Sequence, residues 1–335
     1  MLEITRIGQD DEAAQRRWYA TMRAAWVDGR PDAVYQPFAA LAASYATPPA
    51  HARRLWLLAL DDGRPVGAAE LSWTVEVDLD RVDVELAVLA EHRRRGVGRA
   101  LAAAAEEVGR ELGRTVADGF FFVVGDAPVE ESAGWKFATG LGARRVHTEL
   151  HLVLDLPPDA DRLAGLRQLA VEGSVGYTAL AWTDRCPDEH VAAYLAMRTQ
   201  MDADVPAGEE PPTPRPWTVE RLRAGEERRR PDWVTLTAAA RDDATGGLAG
   251  YSELLLPRVE TGTVWQEDTL VMPAHRGHRL GLLLKLRTLD LLLAEHPGAT
   301  AVHTWTAPTN TAMLRTNQRF GYRVAETMVE VHRAE

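Results

Sequence analysis

Two turns rich in glycine and arginine occupy equivalent places in two similar stretches of this chain, and each lies between an apolar, strand-like run and an apolar, helix-like run. The first turn reads Arg93-Arg94-Arg95-Gly96-Val97-Gly98-Arg99, and the second, in the later half of the chain, reads Arg276-Gly277-His278-Arg279-Leu280-Gly281-Leu282. Small residues at a helix start let unpaired backbone N–H groups approach a ligand, and the helix dipole adds positive potential there. Each turn therefore predicts a site for phosphate.

The elements around the two turns also repeat, which predicts a duplicated domain. Apolar periodicity predicts strands at 2–7, 53–60, 65–77, 82–90, 116–124 and 143–155 in the first half, with helices at 11–27, 36–46, 97–113 and 131–140. In the second half it predicts strands at 176–182, 233–240, 247–256, 263–272, 300–306 and 322–332, with helices at 187–201, 217–229, 279–295 and 310–320 and a polar loop from Val205 to Pro216. Several strands follow one another directly, so the predicted fold class is α+β, with a mixed, mainly antiparallel sheet flanked by helices in each half.

The length of 335 residues also favours two domains over one. The repeat places an N-terminal domain at 1–156 and a C-terminal domain at 176–335. A linker at 157–175 joins them, and it contains a short helical segment from Asp161 to Glu172.

Composition excludes several classes of protein. The net charge of -11 argues against general nucleic-acid binding. The most apolar stretch, Leu280 to Leu293, is interrupted by charged side chains and is a poor membrane span, and Met1 to Ile7 lacks a signal-peptide pattern. Cys186 is alone, so no internal disulfide or cysteine metal cluster is expected. We expect a cytoplasmic protein, monomeric or homodimeric, with no membrane or nucleic-acid partner.

The two turns and their surroundings resemble the GNAT superfamily of N-acetyltransferases, in particular the two-domain actinobacterial group that includes mycothiol synthase. The family signature is Arg/Gln-x-x-Gly-x-Gly/Ala at a helix start, followed by a later helix with Asn-x-x-Ala/Met and a Leu-Gly-Phe-like turn. The first half matches the loop in full from Arg93 to Gly98 and later has Leu141-Gly142-Ala143. The second half has Arg279 where the first glycine is usual, but it then matches at Asn310-Thr311-Ala312-Met313 and Phe320-Gly321-Tyr322.

The resemblance implies two GNAT-like domains in tandem, an acyl-CoA donor (acetyl-CoA or another acyl-CoA), a small-molecule amine as acceptor, and no metal. It assigns the diphosphate to the turns and the pantetheine arm to the strand before each turn. The implied donor-binding residues are Val88, Leu89, Arg93, Arg94, Arg95, Gly96, Val97, Gly98, Arg99, Ala100, Val271, Met272, Arg276, Gly277, His278, Arg279, Leu280, Gly281, Asn310 and Asn317.

Amine transfer also needs a base that makes the attacking nitrogen neutral. Glu85 and Asp268 fall at equivalent positions on the two central strands, where the resemblance implies a catalytic carboxylate, and Glu267 is a second candidate. Each could instead be a solvated strand carboxylate. The tyrosine that many family members use as an acid is replaced by Ala138 and Asn317. Our hypothesis from the sequence is that the first half binds acetyl-CoA and the second half transfers the acyl group.

Two other functions remain open at this stage. A non-catalytic protein that binds or senses acyl-CoA would explain the missing tyrosines, and a protein N-acetyltransferase would use the same donor. A dinucleotide site is disfavoured because Leu101 stands where a third small residue is needed and because the strands upstream adjoin each other.

Overall fold

A computed structural model of the chain describes residues 1–204, 213–259 and 262–334. Contacts divide these residues into two compact units. We call the first unit 1; it holds residues 1–148, Thr213 and 326–334. We call the second unit 2; it holds 149–204, 214–259 and 262–325.

The elements follow one another in an order that repeats. The first ten are β1 (Leu2–Ile7), α1 (Glu12–Val27), α2 (Phe38–Ala46), β2 (Ala52–Asp61), β3 (Arg64–Thr74), β4 (Arg81–Val88), α3 (Val97–Glu111), β5 (Val116–Val124), α4 (Ala133–Thr139) and β6 (Arg144–Asp155). The next are α5 (Ala160–Gly173), β7 (Tyr177–Thr183), α6 (Val191–Asp204), α7 (Val219–Arg229), β8 (Trp233–Asp242), β9 (Leu248–Pro257), β10 (Thr263–Val271), α8 (Leu280–Glu295), β11 (Ala301–Thr306), α9 (Thr311–Phe320) and β12 (Arg323–Ala334).

The sheet of unit 1 has the strand order β1-β2-β3-β4-β5-β12. All neighbours are antiparallel except β4 and β5, which run parallel and pair only through residues 81–83 and 116–118. Beyond Asp83 and Asp118 the two strands are no longer paired. Their free edges leave backbone groups that need other partners.

The sheet of unit 2 repeats this arrangement in the order β6-β11-β10-β9-β8-β7. Here β10 and β11 are the parallel pair, joined only through residues 263–265 and 301–303. The other neighbours are antiparallel. The last strand of each sequence half thus pairs within the other unit, because β12 adds to β5 and β6 adds to β11.

Each face of the unit 1 sheet is covered by helices whose apolar stripes match it. On one face α3 buries Val97, Leu101, Ala105 and Val108 against β2, β3 and β4. This spacing of three or four residues forms one side of a helix. On the other face α1 and α2 pack over a stack in which Trp56 lies between Trp18 and Tyr45.

The structure confirms the predicted α+β class and the mixed, mainly antiparallel sheets. Each predicted strand and helix is present with ends that differ by a few residues, and the helical segment predicted inside the linker is α5. The predicted polar loop from Val205 to Pro216 lies mostly outside the described residues. Among the helices of the described ranges, none combines the length and apolar character that a bilayer crossing requires.

Candidate functional site

The first glycine turn presents unpaired backbone donors at the start of α3. Arg94 and Gly96 adopt left-handed backbone conformations, with φ of 64° and 89°. The first helical hydrogen bond runs from the Ala100 N–H to the Gly96 carbonyl. The N–H groups of residues 97–99 therefore precede the helical ladder and point out of the helix start. Together with the helix dipole they form a site suited to a phosphate group.

Arg93 fixes the turn and also lines the groove beside it. Its Nε donates to the Val88 carbonyl at 3.0 Å, and its guanidinium pairs with Asp28 at 2.8 Å. Arg94 and Arg95, in contrast, have no ion pair among the described residues. They remain available to an anionic ligand at the helix start.

A cavity of about 640 Å³ begins at this turn and follows α3. Val84, Leu86 and Val88 of β4 form one wall, and Gly119 and Phe121 of β5 form the opposite wall. The groove thus includes the opening where β4 and β5 separate. Its volume is within the range of ligand sites, about 300 to 1,000 Å³.

Glycines keep the entrance of this groove clear. A β-carbon at Gly98 would lie 3.2 Å from the Phe137 ring and 3.7 Å from Val88. A β-carbon at Gly119 would lie 3.0 Å from the Val84 carbonyl oxygen. Gly98 therefore leaves the backbone accessible where a diphosphate would contact it, and Gly119 lets β4 and β5 lie close together just beyond their last pair. The residues at the helix start fit such a group.

The second turn has the same backbone conformation as the first. Gly277 and Arg279 have φ of 91° and 52°, and they correspond to Arg94 and Gly96 when the two halves are aligned at the starts of their turns. Arg276 donates to the Val271 carbonyl at 3.2 Å and pairs with Asp204. The duplication predicted from the turns therefore extends to their hydrogen bonds.

The second turn differs because α5 covers it. The Arg279 side chain packs so closely on Gly173 that a β-carbon there would collide with it. Arg279 also donates to the Leu169 carbonyl at 3.0 Å and lies 3.8 Å from Glu172. Acceptor groups of α5 thus occupy the surroundings in which an anionic ligand would meet the turn.

The groove along α8 is filled as well. Leu163, Leu166 and Ala170 of α5 are buried in one core with leucines of α8 and with Phe320 of α9. The spacing of the three α5 residues places them on one side of that helix. The cavity that remains between α8 and the split strands is about 10 Å³, room for a single water molecule.

The remaining predicted donor residues occupy ordinary structural positions in unit 2. The Asn310 side chain caps α9 by accepting from the Met313 N–H at 3.2 Å. Asn317 is fully buried on the same helix, and its amide atoms have no hydrogen-bond partner among the described residues. His278 lies beside the Tyr177 ring, with ring centroids 5.4 Å apart. None of these residues adjoins the open groove of unit 1.

Glu85 lies on β4 just beyond its last pair with β5. Its neighbours Val84 and Leu86 line the groove, so Glu85 faces the opposite side of the sheet, where Glu70 of β3 lies directly across from it. Burial and the charge of Glu70 raise the pKa of Glu85 to about 7. Arg54 binds Glu70 at 2.9 Å, whereas Glu85 has no hydrogen bond or ion pair within the described ranges.

Asp268, at the equivalent position of β10, is held by two partners. Arg198 of α6 pairs with it at 2.9 Å, and the Tyr251 hydroxyl donates to it at 2.7 Å. Burial raises its pKa, and the charge of Arg198 opposes the rise. Glu267 lies where the pairing of β10 with β9 shifts register, and burial and the charge of Glu253 raise its pKa to about 7. The structure thus gives the equivalent carboxylates of the two units different surroundings.

The sequence argument missed the second carboxylate of each unit. Glu70 and Glu85 are separated by the same interval as Glu253 and Asp268, and the two pairs coincide when the halves are aligned at their turns. Glu253 is buried, accepts from the Tyr194 hydroxyl at 2.7 Å and lies 3.9 Å from Arg198. The repeated spacing of acidic residues was the signal that could have revealed both.

No group of three metal-ligating side chains is positioned to hold an ion in the described part of the chain. His275, near the second turn, instead contacts the Tyr177 hydroxyl at 2.9 Å.

The sequence matches the family model of the acetyltransferase (GNAT) family over residues 16–118 and again over residues 188–322. Mycothiol acetyltransferase from Beutenbergia cavernae is 32% identical over 216 residues, which cover 63% of this chain and 64% of that protein. The chain therefore aligns with just under two thirds of the length of this relative.

Two solved structures resemble the chain over almost its whole length. A tandem GNAT protein from the clavulanic acid biosynthesis pathway is 26% identical, with a TM-score of 0.82, and the match covers 100% of this chain and 98% of that one. A GCN5-related N-acetyltransferase from Sphaerobacter thermophilus is 16% identical, with a TM-score of 0.67, and covers 99% and 95%. The first likeness confirms the predicted tandem of two GNAT-like domains, and the second supports the fold alone.

Proposed function

Because the chain belongs to the acetyltransferase (GNAT) family, we propose that it transfers an acyl group from acyl-CoA to an amine of a small molecule, and that unit 1 binds the donor. The observation that carries this proposal is the open groove of about 640 Å³ that begins at the unpaired N–H groups of α3. Relatives named for mycothiol acetylation and for clavulanic acid biosynthesis support a small-molecule acceptor.

The chemistry of the groove matches the parts of such a donor. The N–H groups of residues 97–99 and the guanidiniums of Arg94 and Arg99 would bind the diphosphate. The unpaired edge of β4 from Val84 to Val88 would pair with the amides of the pantetheine arm, as an added strand would. Apolar side chains of the groove would exclude water from the rest of the arm.

Unit 2 would bind no donor in this proposal. Arg279 and α5 cover its turn, and the leucines of α5 fill the groove along α8. The hypothesis that the second half transfers the acyl group is therefore less well supported than transfer in unit 1. We expect one acyl-CoA molecule per chain.

Among the candidate carboxylates, Glu85 belongs to the unit with the open groove, and we take it as the base. Because Glu85 lies on the opposite side of the sheet, it would act on an amine that reaches the thioester through the opening between β4 and β5. Acyl transfer forms a bond between the amine nitrogen and the thioester carbonyl carbon, breaks the C–S bond, and releases CoA as a thiolate. With a pKa of about 7, Glu85 is partly deprotonated at neutral pH and can accept the proton that the amine loses. A backbone N–H of the unpaired β4 edge would stabilise the carbonyl oxygen as charge develops on it.

The same substitution at the two equivalent glycines tests where the donor binds. Gly98→Leu should weaken CoA binding by about tenfold to a hundredfold, because the side chain fills the entrance beside Phe137. Gly281→Leu is the matched control in unit 2 and should leave CoA affinity unchanged. Isothermal titration gives both affinities, and native mass spectrometry of the unmodified protein should show one CoA bound.

Two CoA molecules per chain, or a loss of affinity caused only by Gly281→Leu, would contradict donor binding in unit 1. Thermal unfolding of both variants separates lost binding from lost structure. A protein that binds acyl-CoA without turnover is the alternative function, since Ala138 and Asn317 stand at the family's tyrosine positions. Steady CoA release with a panel of amines distinguishes the enzyme from this alternative.

A further inference from the structure

The groove of unit 1 extends beyond the point where the two parallel strands separate. Val82 and Ala117 belong to the segments in which β4 and β5 are still paired, and both line the cavity. Gly109 also lines it, and lies about 16 Å farther along the axis of α3 than Gly98. A donor whose thioester lies at the split would leave this far part of the groove free.

On α3, the far part of the groove is lined by small residues apart from Glu106. The face of α3 that borders it carries Ala102, Ala105, Glu106 and Gly109. The residues of α8 at the equivalent positions are Lys285, Thr288, Leu289 and Leu292, which are all buried. The difference in side-chain size accounts for much of the contrast between cavities of about 640 and 10 Å³.

Unit 2 shows what kind of group fills this space in the same architecture. There Leu163 and Leu166 of α5 contact the core formed by α8, α9 and β6. No helix of the described part of unit 1 packs into the equivalent space, since the lining of the cavity comes from α3, α4, β4, β5 and β12 and their loops. An aliphatic occupant of similar character would bury the same kind of surface.

We propose that the far part of the unit 1 groove, from Val82 to Gly109, holds the aliphatic chain of a donor whose acyl group is longer than acetyl. The inference rests on the proposed function, because it takes the diphosphate to bind at the start of α3. An acyl chain continuing from the split would lie between Ala105 of α3 and the sheet residues Val116 of β5 and Val331 of β12, which all line the cavity.

Charged groups close the groove at its far end and are mostly paired. Arg333 binds Glu106 at 3.0 Å, and Arg114 donates to the carbonyls of Asp78, Arg81 and Thr74. The Nε of Arg114 is buried without a hydrogen-bond partner among the described residues. The terminal carboxylate of a dicarboxylic acyl group could accept a hydrogen bond from this Nε. The apolar side chains of the groove favour an unsubstituted aliphatic chain instead. The experiment therefore compares the two kinds of acyl group.

The test measures the affinity of the full chain for CoA, acetyl-, butyryl-, hexanoyl-, octanoyl- and glutaryl-CoA by isothermal titration. We expect affinity to rise from acetyl to octanoyl by up to about threefold to fourfold for each methylene that is fully buried. Gly109→Leu should remove this rise and leave the affinity for CoA and acetyl-CoA unchanged. A β-carbon at Gly109 meets only ordinary contacts, 3.6 and 3.7 Å, and thermal unfolding of the variant checks that the whole leucine side chain is accommodated.

Ala103→Leu is the matched control, because Ala103 is exposed on the same helix and does not line the groove. It should keep the full dependence on chain length. Equal affinities from acetyl to octanoyl, equal effects of the two variants, or tighter binding of glutaryl-CoA than of hexanoyl-CoA would overturn the proposal. Failure of CoA itself to bind would instead refute the proposed function.

Discussion

Replacing Glu85 with glutamine is expected to lower kcat by about two to four orders of magnitude and to leave acyl-CoA affinity unchanged. Glutamine keeps the size of the side chain but cannot accept the proton of the attacking amine. Because Glu85 faces away from the donor groove, the substitution should not disturb donor binding. Steady-state kinetics with a small amine, combined with titration of CoA, measures the two effects separately.

The pH dependence of kcat supplies a further readout for Glu85. Burial and Glu70 raise the pKa of Glu85 to about 7. Activity of the unmodified enzyme should therefore rise with pH as this carboxyl group loses its proton, with a midpoint near the pKa of that group. This rise of kcat with pH should be absent from the residual activity of the Glu85→Gln variant. If the rise persists in the variant, the base is another group.

Asp268→Asn is the matched control in unit 2. It should change kcat little, because Asp268 is bound by Arg198 and Tyr251 and lies beside a filled groove. It should lower stability, because Arg198 loses one partner in a buried network. If Asp268→Asn abolished turnover and Glu85→Gln did not, transfer would belong to unit 2, as the sequence hypothesis has it.

The sequence predicted those features that depend on local pattern. Alternating apolar residues predicted the strands, and the glycine turns predicted the matching starts of α3 and α8. These features are encoded within short runs of neighbouring residues, and a duplicated chain presents them twice. The helix α5 could be predicted for the same reason, because its pattern lies within one short run of residues.

What α5 does was not predictable from its own sequence. Leu163, Leu166 and Ala170 indicate one apolar face, but the partner of that face is α8, which lies far along the chain. The ion pair of Asp268 could not be predicted for the same reason, because its partner Arg198 belongs to a helix far away in the sequence. Both contacts depend on tertiary packing, and the packing of α5 on α8 is what closes the second of the two similar motifs.

The exchange of the last strands was also beyond local pattern. The repeat places β6 with the first half and β12 with the second, yet each pairs within the other unit. The alternation of apolar residues in β6 and β12 predicts a strand but does not specify which strand it pairs with. Side chains on one face of an antiparallel pair pack together whichever segment of the chain supplies the partner.

The buried side chain of Lys285 in the filled groove of unit 2 is expected to lower the stability of the protein. It lies at the position equivalent to Ala102, is 3% exposed, and donates to the Gln266 side chain at 3.1 Å. Its other surroundings are apolar, including the Tyr322 ring at 5.4 Å. Burial lowers the pKa of Lys285 from 10.5 to about 7. A charged ammonium is therefore disfavoured inside unit 2 by several kcal/mol.

The sign of the effect on stability follows from proton uptake. Between pH 7 and pH 10.5 the unfolded chain keeps a proton on Lys285 that the folded chain lacks, so unfolding takes up a proton and stability rises with pH. Below about pH 7 both states carry the proton and the penalty is constant. Lowering the pKa from 10.5 to about 7 corresponds to a penalty on the order of 5 kcal/mol at neutral pH.

Lys285→Met should therefore stabilise the protein at pH 7 by about 2 to 4 kcal/mol, after about 1 to 3 kcal/mol is lost because Gln266 loses its donor. Near pH 10.5 the order should reverse, because the lysine is then neutral in the folded state and half neutral in the unfolded state, so little penalty remains, while the methionine still cannot donate. Urea unfolding of both proteins across this pH range measures the crossover. Arg287→Met, at an exposed position of the same helix, is the control and should show none. A stability difference that did not vary with pH would mean that Lys285 is charged in the folded protein, held by a group that its apolar surroundings do not supply.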